Sequence, residues 1–236
     1  MALSDDIDSA TTTIFNATWN TRDGRSVPTT EDVILSNGAV KLDAVVLYAD
    51  LFHSTELART FSRSMAAKIV RAYLSSMTRL VRHLDGHVRS FDGDRVMGIF
   101  IGDSKNSNAA ECALKMNYVV TKILRPRAEE KFPSLVEKGF TIAHCVGIAN
   151  SHVFVVRGGV RDANDLVFVG SAPNIAAKLS EIRNSPWHSY MTWSVYKKLN
   201  DKAKLGDSGK DMWTAVRCTL GKDEWDCYKS NWTWTP

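Results

Sequence analysis

The sequence predicts an α+β domain, a single sheet with helices on one face. Three observations carry this expectation. Ala44-Val45-Val46-Leu47-Tyr48-Ala49 is a short β-prone apolar run, a long stretch of three-and-four apolar spacing follows it, and an Asp-Gly pair then separates two further β-like runs. A chain of 236 residues, 44% of them hydrophobic and 24% charged, can bury one such core.

Residues 1–40 are rich in Thr, Asp, Asn and Ser without sustained periodicity. They read as an N-terminal extension that holds a little structure around residues 11–19, ahead of a domain spanning residues 41–236. The run at 44–49 reads as a buried central strand ending at Asp50. Ser54 or Thr55 then caps a helix with Glu56 in its first turn. Leu57, Phe61, Met65, Ile69, Tyr73, Met77, Leu80, Val81 and Leu84 continue it as one amphipathic helix that Gly86 ends. Strands at 87–91 and 95–101 flank Asp92-Gly93-Asp94, a hairpin signal. A second helix is expected over 107–124, stopped near Pro126. Strands are expected at 140–148 and 153–156, then at 166–169 beyond Gly158-Gly159. A helix follows over 172–182, with Pro173 in its first turn, where a missing N–H costs nothing. Trp213, Trp225, Trp232 and Trp234 mark an alternating tail that suggests a terminal hairpin.

The net charge is +4, from 30 basic and 26 acidic residues, and the basic residues are scattered. That balance suits a small polyanionic substrate and carries no nucleic-acid footprint. Cys112, Cys145, Cys218 and Cys227 lie far apart without metal-ligand spacing and read as buried small residues. The acidic N-terminus has no signal-peptide pattern, and no apolar run reaches membrane-spanning length. A cytoplasmic protein without membrane insertion is the expectation.

Asp50 ends an otherwise apolar strand, where an unpaired carboxylate is expensive to bury. Asp94 sits at a hairpin tip on what would be a neighbouring strand. Two carboxylates so placed can hold the divalent cations that phosphoryl transfer to a ribose hydroxyl requires. A helix cap and a turn residue are the ordinary readings of the same positions. Asp92 competes with Asp94, and spacing alone does not choose between them.

Three ordered segments resemble those of the class III nucleotidyl cyclases. Tyr48-Ala49-Asp50-Leu51-Phe52-His53-Ser54-Thr55 resembles their Phe-x-Asp-Ile-x-Gly-Phe-Thr. Phe91-Asp92-Gly93-Asp94-Arg95-Val96-Met97 resembles Lys-x-x-Gly-Asp-x-x-Met. Gly170-Ser171-Ala172-Pro173-Asn174-Ile175-Ala176-Ala177-Lys178-Leu179 resembles Gly-x-x-Val-Asn-x-Ala-x-Arg-Leu. The likeness covers roughly residues 42–198. It implies a class III cyclase-like fold, a ferredoxin-like βαββαβ core sheet with a C-terminal hairpin. It also implies metal-binding positions at Asp50, Leu51 and Asp94 for two Mn²⁺ or Mg²⁺ ions per site. Phe52, His53, Ser54 and Thr55 would cradle the triphosphate, although a histidine in such a turn is ordinarily solvated. Asn174 and Lys178 would be the transition-state pair. They lie one helical turn apart and share a face, and Lys178 keeps arginine's charge without its fork.

Purine-reading members carry a lysine or glutamate four residues before the second metal aspartate, and an aspartate, threonine or cysteine three before the motif glycine. Those positions are Ser90 and Val167. Ser90 is short and Val167 cannot hydrogen-bond, so a purine edge would go unpaired at about 1–3 kcal/mol per missing partner. Tyr48 replaces the usual phenylalanine on the same strand face as Asp50, adding a hydrogen-bonding tip to a smaller pocket. Arg89 and Arg95 flank the hairpin, and Arg95 is the better placed for substrate. This set is similar to the pyrimidine cyclases of bacterial Pycsar antiphage defence. The similarity implies conversion of UTP to 3′,5′-cyclic UMP, a head-to-tail homodimer with composite sites, and a product sensed by a separate effector. Cytidylate cyclase, adenylate cyclase and a catalytically inactive nucleotide-binding module are the alternatives.

Overall fold

The computed structural model describes residues 2–236. The central element is β2 (Gly38–Leu51), a 14-residue strand longer than the apolar run at its end. Val45, Leu47, Ala49 and Leu51 point into one hydrophobic cluster, and Val40, Leu42, Ala44 and Val46 into another on the opposite face. Burial of both faces explains why the run does not alternate with polar residues.

Downstream come α2 (Ser54–Thr60), α3 (Arg63–His83), β3 (His87–Asp92), β4 (Arg95–Phe100) and α4 (Lys105–Tyr118). The single helix expected over 54–84 is therefore two. Phe61 is extended, and the Ser62 hydroxyl accepts from the Met65 amide at 3.3 Å to cap α3. The apolar spacing runs on through this break, which hid it. The 93–94 turn joins β3 to β4 as the Asp-Gly pair predicted, with Gly93 left-handed at φ 62°.

The helix expected to stop near Pro126 instead continues through a π-helical turn at Val119–Leu124 into α5 (Arg125–Lys131). Pro126 lies in the first turn of α5, where its missing N–H is tolerated beside the wider turn. The short helix α6 (Ser134–Glu137) precedes β5 (His144–Val160), one 17-residue strand where two were expected. Its polar middle stays in the ladder because Asn150 donates sideways to Asn106 Oδ1 (3.1 Å) and the Ser194 carbonyl (3.2 Å).

The chain ends with β6 (Ala163–Val169), α7 (Ser171–Ser180), β7 (Ser189–Thr192), the short helices α8 (Trp193–Tyr196) and α9 (Asp201–Lys204), and the hairpin β8 (Thr214–Leu220) and β9 (Asp223–Ser230). Trp213 precedes that hairpin and Trp225 lies within it. Trp232 and Trp234 lie beyond it and pack against the α3–α4 cluster. Upstream, where a little structure was expected around residues 11–19 of an extension, α1 (Leu3–Asn16) and β1 (Asn20–Asp23) form, and β1 joins the sheet by pairing with β2 in parallel.

The sheet runs β3-β4-β2-β5-β7-β9-β8, with β6 beside β5, so β2, β3, β4 and β5 form the expected ferredoxin-like core. Helices α3 and α4 cover one face, but α7 covers the other. This corrects the placement of every helix on one face. The continuous apolar character of β2 required a second cover.

Beneath the end of β2 lies His144, fully buried, with Nδ1 3.4 Å from the Tyr73 hydroxyl and its backbone carbonyl accepting from His188 Nδ1 at 3.1 Å. Burial, then the charges of His188 and Arg125, lower its pKa to about 3. An unfolded histidine titrates near 6.5, so below that pH the unfolded chain takes up a proton that the folded chain refuses. The stability from neutral His144 is whole above pH ~6.5 and is lost as pH falls toward about 3. Between pH 7 and pH 5 this side chain should cost about 2 kcal/mol. Thermal unfolding across that range should show a flatter pH slope for His144→Gln. An identical slope would place the acid sensitivity elsewhere.

Candidate active site

Register brings the two carboxylates together. Asp50, at the end of β2, pairs across the ladder with Arg95 of β4, and Asp94 is the turn residue just before it. Both aspartates line one cavity of about 520 Å³ with Leu51, His53, Ser54, Thr55, Arg95 and Arg183. Glu56, Arg59 and Thr60 of α2 complete the wall. His53 is left-handed (φ 59°), turning the chain from β2 into α2, and its ring is 3.5 Å from Glu56.

Asp50 is 3% exposed and held by two guanidinium groups. Arg183 Nη2 donates to Oδ2 at 2.5 Å, and Arg95 Nε lies 3.5 Å from Oδ1. Arg183 is itself fixed by a 2.8 Å bond to the Ser180 carbonyl and by stacking 4.0 Å over the Phe52 ring. Arg95 also donates to Glu181 Oε1 at 3.0 Å. Burial pushes the Asp50 carboxyl above the usual range, against the lowering effects of the Arg183 hydrogen bond and the Arg95 charge. The fold holds this carboxylate at a cost that packing does not require.

Tyr48, Met97 and Ser90 form a row across three strands, since Tyr48 and Ser90 are both register partners of Met97. The Tyr48 hydroxyl lies 3.2 Å and the Ser90 hydroxyl 3.7 Å from Met97 Sδ. Phe52 is buried under Arg183 rather than exposed to the cavity. Val167 sits on the β5–β6 hairpin, half-exposed and away from the cavity. Asn174 and Lys178 are exposed on the outer side of α7, so within one chain neither faces Asp50 or Asp94. Arg89 pairs with Asp165 away from the cavity, so of the two arginines flanking the hairpin only Arg95 lines it. Sequence reasoning missed Arg183 and Glu181. They lie in the turn after α7, outside every motif, and only the folded chain brings them to β2 and β4.

The donor set suits a hard divalent cation. Asp50 and Asp94 offer carboxylate oxygens, and Leu51, its side chain buried, can offer only its backbone carbonyl. The guanidinium on Asp50 marks a position where the structure already places positive charge. Among the described residues, no group of three or more His, Cys, Asp or Glu side chains could cage a metal alone. Magnesium commonly binds through one or two carboxylates and substrate phosphates, so two carboxylates fit it. Among the same residues, no helix is long and apolar enough to cross a membrane.

No family model matches the chain. Over 235 residues it is 43% identical to a uridylate cyclase of Rhodovulum sp. (strain MB263), covering 99% of this chain and 95% of the relative. A uridylate cyclase of Burkholderia cepacia is 39% identical, with all of both chains covered. Among solved structures, a bacterial light-regulated adenylyl cyclase superposes with a TM-score of 0.68 at 19% identity, over 82% of this chain and 53% of that one. At that identity the last match speaks for the fold alone.

Proposed function

The chain belongs to the same family as these uridylate cyclases and has the fold of nucleotidyl cyclases, and on that premise we propose that it converts UTP to 3′,5′-cyclic UMP and diphosphate. The observation that carries the reading is the cavity in which Asp50 and Asp94 meet Arg59, Arg95 and Arg183. In the reaction, the ribose 3′-oxygen forms a bond to the α-phosphorus, the bond from that phosphorus to the departing diphosphate breaks, and the hydroxyl proton passes to solvent.

Bound Mn²⁺ or Mg²⁺, two ions per site held by Asp50, Leu51 and Asp94, would lower the pKa of the 3′-hydroxyl and neutralise the triphosphate. The chain's own residues supply the rest. Ser54 and Thr55 offer hydroxyls and amides to the phosphates, with Phe52 and His53 in the same turn. Arg183 now neutralises Asp50, and the same guanidinium can turn to a phosphate once the carboxylate holds another cation. Asn174 would orient the ribose and Lys178 would bear on the charge developing at the α-phosphate. They lie outside this chain's cavity, which supports a homodimer whose composite sites take Asp50 and Asp94 from one chain and Asn174 and Lys178 from the other.

Base choice rests on the Tyr48–Met97–Ser90 row, where a phenol and a short hydroxyl stand in place of a lysine or glutamate, and on Val167. Tyr48 and Ser90 would read a pyrimidine edge, and UTP is favoured over CTP because the relatives are named uridylate cyclases. The likeness to Pycsar cyclases extends the reading to antiphage defence, with the product activating a separate effector. In the same reading residues 41–236 are the cyclase domain, and its sheet extends upstream into residues 1–40 through β1 and the start of β2.

Purified protein given UTP and Mn²⁺ should yield cyclic UMP and diphosphate one for one, with EDTA stopping the reaction and added Mn²⁺ restoring it. Bound nucleotide without product would support the inactive-module reading instead.

A further inference from the structure

Helix α1 is a 14-residue helix in which no residue is buried. Leu3, Ile7, Ala10 and Ile14 recur at fours and threes, so they form one stripe, and Phe15 is a further exposed apolar residue off its side. Leu3 is 74% exposed, Ile7 56%, Ile14 60% and Phe15 82%. Only the C-terminal end of the helix meets the body of its own chain, where Ile14 shares a cavity with Ile34 and Gly159. An isolated helix of this length is marginal in water, and most helical stability comes from packing an apolar face. Asp5, Asp6 and Asp8 make its first half acidic.

A groove of about 600 Å³ lies along the outer side of α3. Val70 and Leu74 form its half-buried apolar floor, with the exposed Phe91 of β3 at one side. Arg71, Arg79 and Arg82 rim it, and among the described residues none of the three pairs with a carboxylate. The groove runs for about 20 Å along α3, the length of α1, at ~1.5 Å per helical residue. Stripe and groove match in apolar character and length, and Asp6 at the edge of the stripe meets a basic rim. The α1 of the same chain stands elsewhere, beside Ile34 and Gly159.

We propose that α1 of one chain docks in the α3 groove of a second copy, so that two chains exchange their N-terminal helices. The inference rests on the homodimer reading and adds a named contact to it. Antiparallel docking with Ile7 over Leu74 brings Asp6, at the edge of the stripe, toward Arg79, while Asp5 and Asp8 lie on the outward face of the helix. Ile7 and Ile14 then cover Leu74 and Ala67, with Ala10 over Val70. By two-fold symmetry the contact forms twice per dimer.

The test uses the full chain carrying both Ile7→Cys and Leu74→Cys, oxidised with copper phenanthroline and run on a non-reducing gel. The expected result is a covalent dimer from the double variant and none from either single variant. Arg79→Glu should weaken the dimer about threefold, and Asp6→Lys in the same chain should recover it. A dimer on sizing without cross-linking in the double variant overturns the helix exchange and leaves the homodimer standing. A monomer on sizing removes both. A cross-link within one chain shows α1 folding onto its own groove and overturns the second copy as occupant.

Discussion

Replacing Asp50 or Asp94 by alanine is expected to lower cyclic UMP synthesis at least about 10³-fold, because each carboxylate is asked to hold a cation that neutralises the triphosphate. Thermal unfolding of Asp50→Ala should change far less than its activity. Burial already pushes the Asp50 carboxyl above its usual range, so the fold loses an expensive charge. The partner left behind, Arg183, keeps its bond to the Ser180 carbonyl and its place over Phe52. If the sites are composite, mixing inactive Asp50→Ala with inactive Asn174→Ala should restore activity. Random pairing of chains puts one intact site in half the dimers, roughly a quarter of the wild-type rate. Activity and melting temperature, measured on the same preparations, check all of this. Near-normal turnover in either aspartate variant would remove the carboxylate pair from the mechanism.

The second large effect is expected at Gly147, in β5 opposite Tyr48. A Cβ there would lie 2.1 Å from the Ala176 carbonyl oxygen and 2.5 Å from the Ser180 amide nitrogen. Both are backbone atoms of α7, so no side-chain rotation relieves the clash, and Gly147→Ala must push the helix off the sheet. The expected cost is about 3 kcal/mol, a fall of roughly 10 °C in melting temperature at this chain length. Function should suffer beyond the lost stability. Helix α7 carries Asn174 and Lys178 and leads into Arg183, so its shift moves both sides of the proposed site. Calorimetry with kcat measured well below the new melting point separates the two effects. An unchanged melting temperature would mean that α7 does not pack this closely.

What could be read from the sequence was what neighbouring residues determine. Asp50 and Asp94 were legible because a strand end and a hairpin turn are local signals, and a one-strand register then brings them together. Pro173 marked the start of α7 for the same reason. The break at Ser62 was hidden by apolar spacing that continues across it. The unbroken β5 was hidden because Asn150 finds partners only in α4 and α8. Arg183 was out of reach, since its bond to Asp50 spans 133 residues and belongs to no motif. The Tyr48–Met97–Ser90 row has a related cause: each residue is ordinary alone, and only the register of three strands makes them neighbours.

The measurement that bears most directly on the proposed function is a competition among substrates. Purified protein is given equimolar UTP, CTP, ATP and GTP with Mn²⁺, and the products are resolved by mass spectrometry. Cyclic UMP as the dominant product, absent from Asp94→Ala, is the expected result. Cyclic AMP or cyclic GMP as the main product would contradict the pyrimidine reading of Tyr48, Ser90 and Val167.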